Sequence, residues 1–177
     1  LLGLAVRRLA LDRLTLTGKH ITDVGLAQLS RLKNLRSLGL TGTGITDKGV
    51  RHLTQMTKLI DLTLSKTAIT DAGLAHLARL AGLRKLLLGD TRVTGPGLKH
   101  LGRLFGLEVL SLSRTPLTDA GLSHLASLVK LQGLFLTKTR LTDAGLAALK
   151  PLTRLRNLAI QSPGITSTAE ASRPGNP

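Results

Sequence analysis

Cysteine is absent from this 177-residue chain, as are tryptophan and tyrosine, and phenylalanine occurs only twice. Without cysteine there is no disulfide and no thiolate zinc site. Without aromatics, any core must be built from aliphatic side chains, and the 42% apolar content is mostly leucine. Such a core points to many small, similar packing sites rather than one irregular interior. Acids are also scarce, with 10 Asp plus Glu against 25 Lys plus Arg, a formal net charge of +15. That balance favours solubility and acidic partners, and it carries no information about fold. No apolar run approaches the roughly 18 residues of a membrane span. The opening LLGLAVRRLA lacks a Met and a basic n-region, so it does not read as a signal peptide. The missing Met suggests a fragment or a processed chain.

What the sequence has in abundance is self-similarity. Units begin at Leu11, Leu35, Leu59, Leu83, Leu107, Leu131 and Leu155, always 24 residues apart and without insertion. One unit reads LIDLTLSKTAITDAGLAHLARLAG, from Leu59 to Gly82. Its first half alternates around Leu62 and Leu64, which is a strand signal. Its second half places Leu74, Leu77 and Leu80 on one helical stripe. Thr70 and Asp71 suit a helix start, because a side-chain oxygen can cap free amides and the negative charge suits the N-terminal dipole. A strand and a helix of this size cannot bury their apolar faces alone, so stacked neighbours must share a continuous core.

The units resemble leucine-rich repeats, L-x-x-L-x-L-x-x-T-x-I/L, with Thr in place of the usual Asn or Cys. Thr43, Thr67, Thr91, Thr115 and Thr139 form that row. The ITDxGLxxLxxL half is similar to the repeats of F-box-type receptors and of bacterial leucine-rich repeat proteins. The resemblance covers Leu11 to Thr166. It implies a right-handed α/β leucine-rich-repeat solenoid, a horseshoe arc with a parallel sheet on its concave side and helices on its convex side. It also implies that the Thr row bonds backbone groups at the turn. Residues 1–10 read as the partial helix of a preceding unit, 11–166 as the repeat array with its last unit truncated, and 167–177 as a disordered tail or linker. Lys19 and Pro163 break the Thr row at its ends, and VTGPGL at Val93 to Leu98 replaces the unit's Asp with Gly95. With no polar capping repeat visible, the last strand is expected to present an uncovered edge. The tail, self-association or missing flanking repeats would cover it, and a fragment is the preferred reading.

Candidate chemistry reduces to structure. His52, His76, His100 and His124 share one position in successive units, which invites a metal site. Helix geometry puts them on the shoulder of the buried stripe, on helices roughly 8–10 Å apart, so packing is the expected role. Asp71 and His76 are five residues apart, about 140° around a helix, and no Ser or Cys nucleophile recurs beside them. No enzyme, cofactor or metal is expected. The glycine row Gly25, Gly49, Gly73, Gly97, Gly121 and Gly145 lies on the buried side, where close approach of helix and strand is the expected reason.

The concave face is the expected binding surface. Its cations are Arg13, Arg36, Lys66, Arg84, Lys85, Arg114, Lys138 and Arg156, and its acids Asp12, Asp61, Asp90 and Glu108. Units in register bring each acid beside a cation, which predicts exposed pairs worth at most about 1 kcal/mol each. The remaining positive charge, at Arg31, Lys33, Lys58, Arg79, Arg103, Lys130 and Arg154, falls after each helix and would form a basic ridge. Ile60, Leu87, Val109 and Phe135 are apolar where the pattern faces solvent, a mark of interfaces. The expected function is a non-enzymatic protein-interaction module, part of a larger protein, that binds a partner through Arg36, Ile60, Arg84, Lys85, Leu87, Val109 and Phe135. The alternatives are a polyanion- or nucleic-acid-binding solenoid, disfavoured by the lack of stacking aromatics, and a spacer or substrate-receptor segment of a receptor or ubiquitin-ligase-type protein. The sequence sets no compartment, although the cytoplasm is the favoured one.

Overall fold

The computed structural model describes residues 11–166. The expected half-unit at 1–10 and the tail at 167–177 lie outside them. Seven short strands follow one another: β1 (Arg13–Thr15), β2 (Ser37–Gly39), β3 (Asp61–Thr63), β4 (Lys85–Leu87), β5 (Val109–Ser111), β6 (Gly133–Thr137) and β7 (Asn157–Gln161). They form one parallel sheet in chain order. The register advances by one whole unit at every step, so Leu14, Leu38, Leu62, Leu86, Leu110, Leu134 and Leu158 face one another in a row. A slip of one residue would turn every such leucine to solvent, which is why the alternation sets the register.

Between strands the chain crosses back through short helices: α1 (Asp23–Leu29), α2 (Asp47–Val50), α3 (Asp71–Leu77), α4 (Leu98–Leu101), α5 (Asp119–Leu122) and α6 (Asp143–Leu146). Three of them, α2, α5 and α6, continue as 3-10 turns. Thr22, Thr46, Thr70, Thr118 and Thr142 precede the helices in extended backbone. The hydroxyls of Thr46, Thr70 and Thr142 accept from the amides of Lys48, Ala72 and Ala144, as N-caps do. In the fourth unit the start slips, and α4 begins only at Leu98. Gly95 there has φ +134, a backbone no helix can use.

Strands repeat at about 4.8 Å, whereas helices pack at roughly 8–10 Å. The sheet therefore takes the inside of the curve and the helices the outside. Between the layers, Leu59, Leu62, Leu64, Ile69, Leu74, Leu77 and Leu80 of one unit are all fully buried, as are their equivalents in the units that begin at Leu35, Leu83 and Leu107. Each such side chain contributes on the order of 2 kcal/mol relative to exposure. In the first and last units the core side is less covered, with Leu14, Leu16, Leu158 and Ile160 only half-buried.

The Thr row closes the turn after each strand. The hydroxyls of Thr43, Thr67, Thr91, Thr115 and Thr139 donate to the carbonyls three residues earlier, at 2.5–2.8 Å. The residue before each Thr sits in the left-handed region: Gly42, Lys66, Asp90, Arg114 and Lys138. For the four that carry side chains this costs on the order of 1 kcal/mol each. Their amides donate to the next unit, as Lys66 does to the Gly89 carbonyl at 2.8 Å, and that bond with the Thr closure holds the turn. At the ends, the Lys19 ammonium reaches the carbonyls of Thr43 and Lys66 at 3.5 and 3.4 Å. Ser162 pairs with the Thr139 hydroxyl at 2.7 Å.

Candidate protein-binding face

The first helical residue of a unit binds the unit that follows. Asp47 accepts from the Thr70 amide at 2.9 Å and from the Thr70 hydroxyl at 2.6 Å. Asp23 does the same with Thr46, and Asp119 with Thr142. Asp143 receives the Thr166 amide and hydroxyl. The capping assigned from sequence thus falls to Thr, while the Asp forms a ladder between units. That ladder also accounts for the glycine row. A methyl group on Gly49, Gly73 or Gly145 would lie 2.2–2.4 Å from the carboxylate oxygen of the preceding unit. The glycines make room for a neighbouring carboxylate rather than for a strand. Gly25, in the first described unit, has nothing within 4 Å.

Asp71 has the fullest set of donors, from the Thr94 hydroxyl and amide and the amides of Gly95 and Gly97, at 2.6–3.1 Å. Partial burial works to raise its carboxyl. The Thr94 hydroxyl first, then the three amides, outweigh it and hold the group below its ordinary value. One unit later Gly95 provides no carboxylate. A methyl group on Gly121 would lie 2.4 Å from the Gly95 Cα, so the two backbones pack directly. The Thr118 amide turns instead to the Thr94 carbonyl at 3.3 Å.

Across the open face of the sheet, side chains 24 residues apart are neighbours. Arg84 pairs with Glu108, and Arg114 with Asp90 at 2.5 Å. Asp61 lies opposite Lys85 in the register without closing a pair, and Asp12 stands one unit from Arg36. Arg36, Arg84 and Lys85 are exposed, while Ile60, Leu87, Val109 and Phe135 are half-buried. Leu87, Ser111 and Phe135 face one another on β4, β5 and β6, with Val109 opposite Lys85 and Gly133. A methyl group on Gly133 would lie 3.4 Å from the Phe135 ring edge and 3.6 Å from Val109 Cγ2. Phe135 and Val109 therefore close over bare backbone and form a low apolar patch beside the cations of β4.

The histidines stay apart in role. His52, His76 and His100 are half-buried and His124 is exposed. Among the described residues, no three His, Asp or Glu side chains gather as metal ligands would. Three exposed apolar side chains escaped the sequence reading, the first being Val24 at 76% exposure on α1. The other two, Phe105 at 64% and Val129 at 49%, lie in the turn after a helix. The visible signal was an apolar residue where other units carry Lys33, Thr57 or Thr153. No described helix is long and apolar enough to cross a membrane.

A seven-stranded parallel sheet with one helical crossover per 24 residues, a leucine row and a turn-closing Thr row defines a solenoid of leucine-rich repeats. The family model described as "Leucine Rich repeat" matches residues 31–53. Among solved structures the chain is similar to internalin C2 of Listeria monocytogenes, at 24% identity and a TM-score of 0.66. That alignment covers 91% of this chain and 77% of the other. It is also similar to the functional domain of InlJ from the same organism, at 21% identity and a TM-score of 0.59, covering 85% of this chain and 30% of that one. No curated protein matches by sequence. The structural likenesses concern the fold.

Proposed function

We propose that the chain is a non-enzymatic protein-interaction module that receives a partner protein on the open face of its sheet. Arg36, Ile60, Arg84, Lys85, Leu87, Val109 and Phe135 make the contact. The observation that supports this reading is the patch of Leu87, Val109 and Phe135, half-exposed on a rigid sheet and bordered by Arg84 and Lys85. Apolar anchors within a polar rim are the usual anatomy of an interface. The scaffold suits the task, because backbone bonds and the Thr row fix the sheet before any partner arrives, so little ordering cost falls on binding. The patch sits over Gly133, so its side chains can be truncated without opening the core beneath. Immobilised protein and the triple variant Leu87→Ala/Val109→Ala/Phe135→Ala are compared for specific protein capture by quantitative mass spectrometry. Loss of a captured partner with unchanged melting is expected. Equal capture by both proteins would end the assignment to this face.

A further inference from the structure

We propose that the rim joining each helix to the following strand is a docking surface for an anionic membrane leaflet, with Phe105 and Val129 as the inserted side chains. This inference is independent of the open-face reading. The first observation is the distribution of charge. All nine acids of the described residues lie on the open face of the sheet or at the starts of helices. The rim pentapeptides 30–34, 54–58, 78–82, 102–106, 126–130 and 150–154 contain none, and each carries at least one Lys or Arg. Lys58 donates to Asn34 at 2.8 Å, and the ion pairs of the sheet face involve none of these cations. Among the described residues the rim cations thus stand apart from the paired charges of Arg84 with Glu108 and Arg114 with Asp90.

The second observation is that two of the three exposed large apolar residues stand on this rim, the third being Val24 at the start of α1. Phe105 and Val129 occupy the same place in successive units. Two residues before them lies the column of Arg31, Arg79 and Arg103, and one residue after them the column of Lys58, Lys130 and Arg154. All of these side chains are exposed. A Phe at 64% exposure between two columns of cations is the composition of an interfacial footing, where rings enter the headgroup boundary and cations meet anionic headgroups. The uniform period keeps the rim turns in line, so one plane of charge can meet them together. Single-stranded nucleic acid fits less well, because it needs a ring under successive bases, and the neighbour of Phe105 in this column is an aliphatic Val.

The test uses the full chain in co-sedimentation with vesicles of phosphatidylcholine alone and with added phosphatidylserine. Binding to the mixed vesicles only is expected. Each cation near the leaflet multiplies partition by roughly five, so Arg79→Gln/Arg103→Gln/Lys130→Gln should weaken it about 100-fold. The charge-neutral pair Phe105→Ala/Val129→Ser should weaken it about tenfold. Arg36→Gln/Lys85→Gln/Lys138→Gln removes the same charge from the open face and should leave most of the binding. Thermal melting of the surface variants should match the parent. The proposal fails if the two triple variants lose binding equally, if the apolar pair binds as the parent does, or if a single-stranded oligonucleotide outcompetes the vesicles through the same rim residues.

Discussion

Alanine in place of glycine within a helix ordinarily stabilises by about 1 kcal/mol. Gly25 and Gly73 hold the same place in α1 and α3, yet the two substitutions should act with opposite sign. At Gly25 nothing stands within 4 Å of the new methyl group, so Gly25→Ala should stabilise by about 0.5–1 kcal/mol. At Gly73 the methyl group would arrive 2.4 Å from Asp47 Oδ1, with Ile69 Cγ2 at 3.1 Å on another side. That oxygen accepts from the Thr70 amide, and its twin from the Thr70 hydroxyl. The carboxylate must swing away and surrender both bonds. Bonds to a charged group contribute about 1.5–3 kcal/mol each when buried, and water recovers part of that at this half-buried site. A loss of about 2–3 kcal/mol set against the helical gain leaves Gly73→Ala about 1–2 kcal/mol less stable. At roughly 2–4 °C per kcal/mol for a chain of this size, Tm should fall by about 3–6 °C for Gly73→Ala and rise by about 2–3 °C for Gly25→Ala. Circular-dichroism melts with urea titrations measure both. In the pair Asp47→Ala/Gly73→Ala the two losses should fall short of additivity by at least about 1 kcal/mol, because the clash goes with the carboxylate. Both single variants melting higher, or strict additivity in the pair, would refute the account of the glycine row.

Thr91→Val keeps the shape of the buried turn but leaves the Leu88 carbonyl without the hydroxyl it receives at 2.7 Å. A destabilisation of about 1–2 kcal/mol by urea titration is expected, and an unchanged midpoint would deny the row its role. The folded-state pKa of Asp71 is depressed, so its stabilisation is present above the ordinary aspartate value near 4 and is lost as pH falls through the depressed value. Asp71→Asn should lower stability at pH 7 and lose less than the parent as pH falls below about 4; parallel pH profiles would contradict the assigned bonds.

The Asp ladder also bears on how the array holds together. A solenoid's stability is a sum of unit and nearest-neighbour terms. Asp23, Asp47, Asp119 and Asp143 each add a two-point clasp between units, and Asp71 adds a four-donor one. At the seam after the fourth unit no carboxylate takes this place: the Gly95 backbone packs directly on Gly121, and the Thr118 amide donates to the Thr94 carbonyl. Sequence periodicity marks that unit as different, and the helix start displaced to Leu98 is the structural consequence.

Repetition made most of the fold legible in the sequence. A 24-residue period without insertion sets a register, and the alternation of Leu62 with Leu64 and the stripe of Leu74, Leu77 and Leu80 assign strand, helix and core, because both patterns are local properties of backbone geometry. The Thr row and the charge neighbours on the sheet follow from the same arithmetic. What the tertiary structure decided depends on side chains meeting across units. It decided that Asp47 serves Thr70 rather than its own helix, that Gly73 yields space to that carboxylate, and that Glu108 closes on Arg84 while Asp61 does not close on Lys85. It also decided that Phe135 and Val109 close over Gly133 while Phe105 stands clear of the rim. One-dimensional spacing tells which residues are neighbours. Rotamers, burial and hydrogen-bond direction settle which of those neighbours bind each other, and these exist only once the units are stacked.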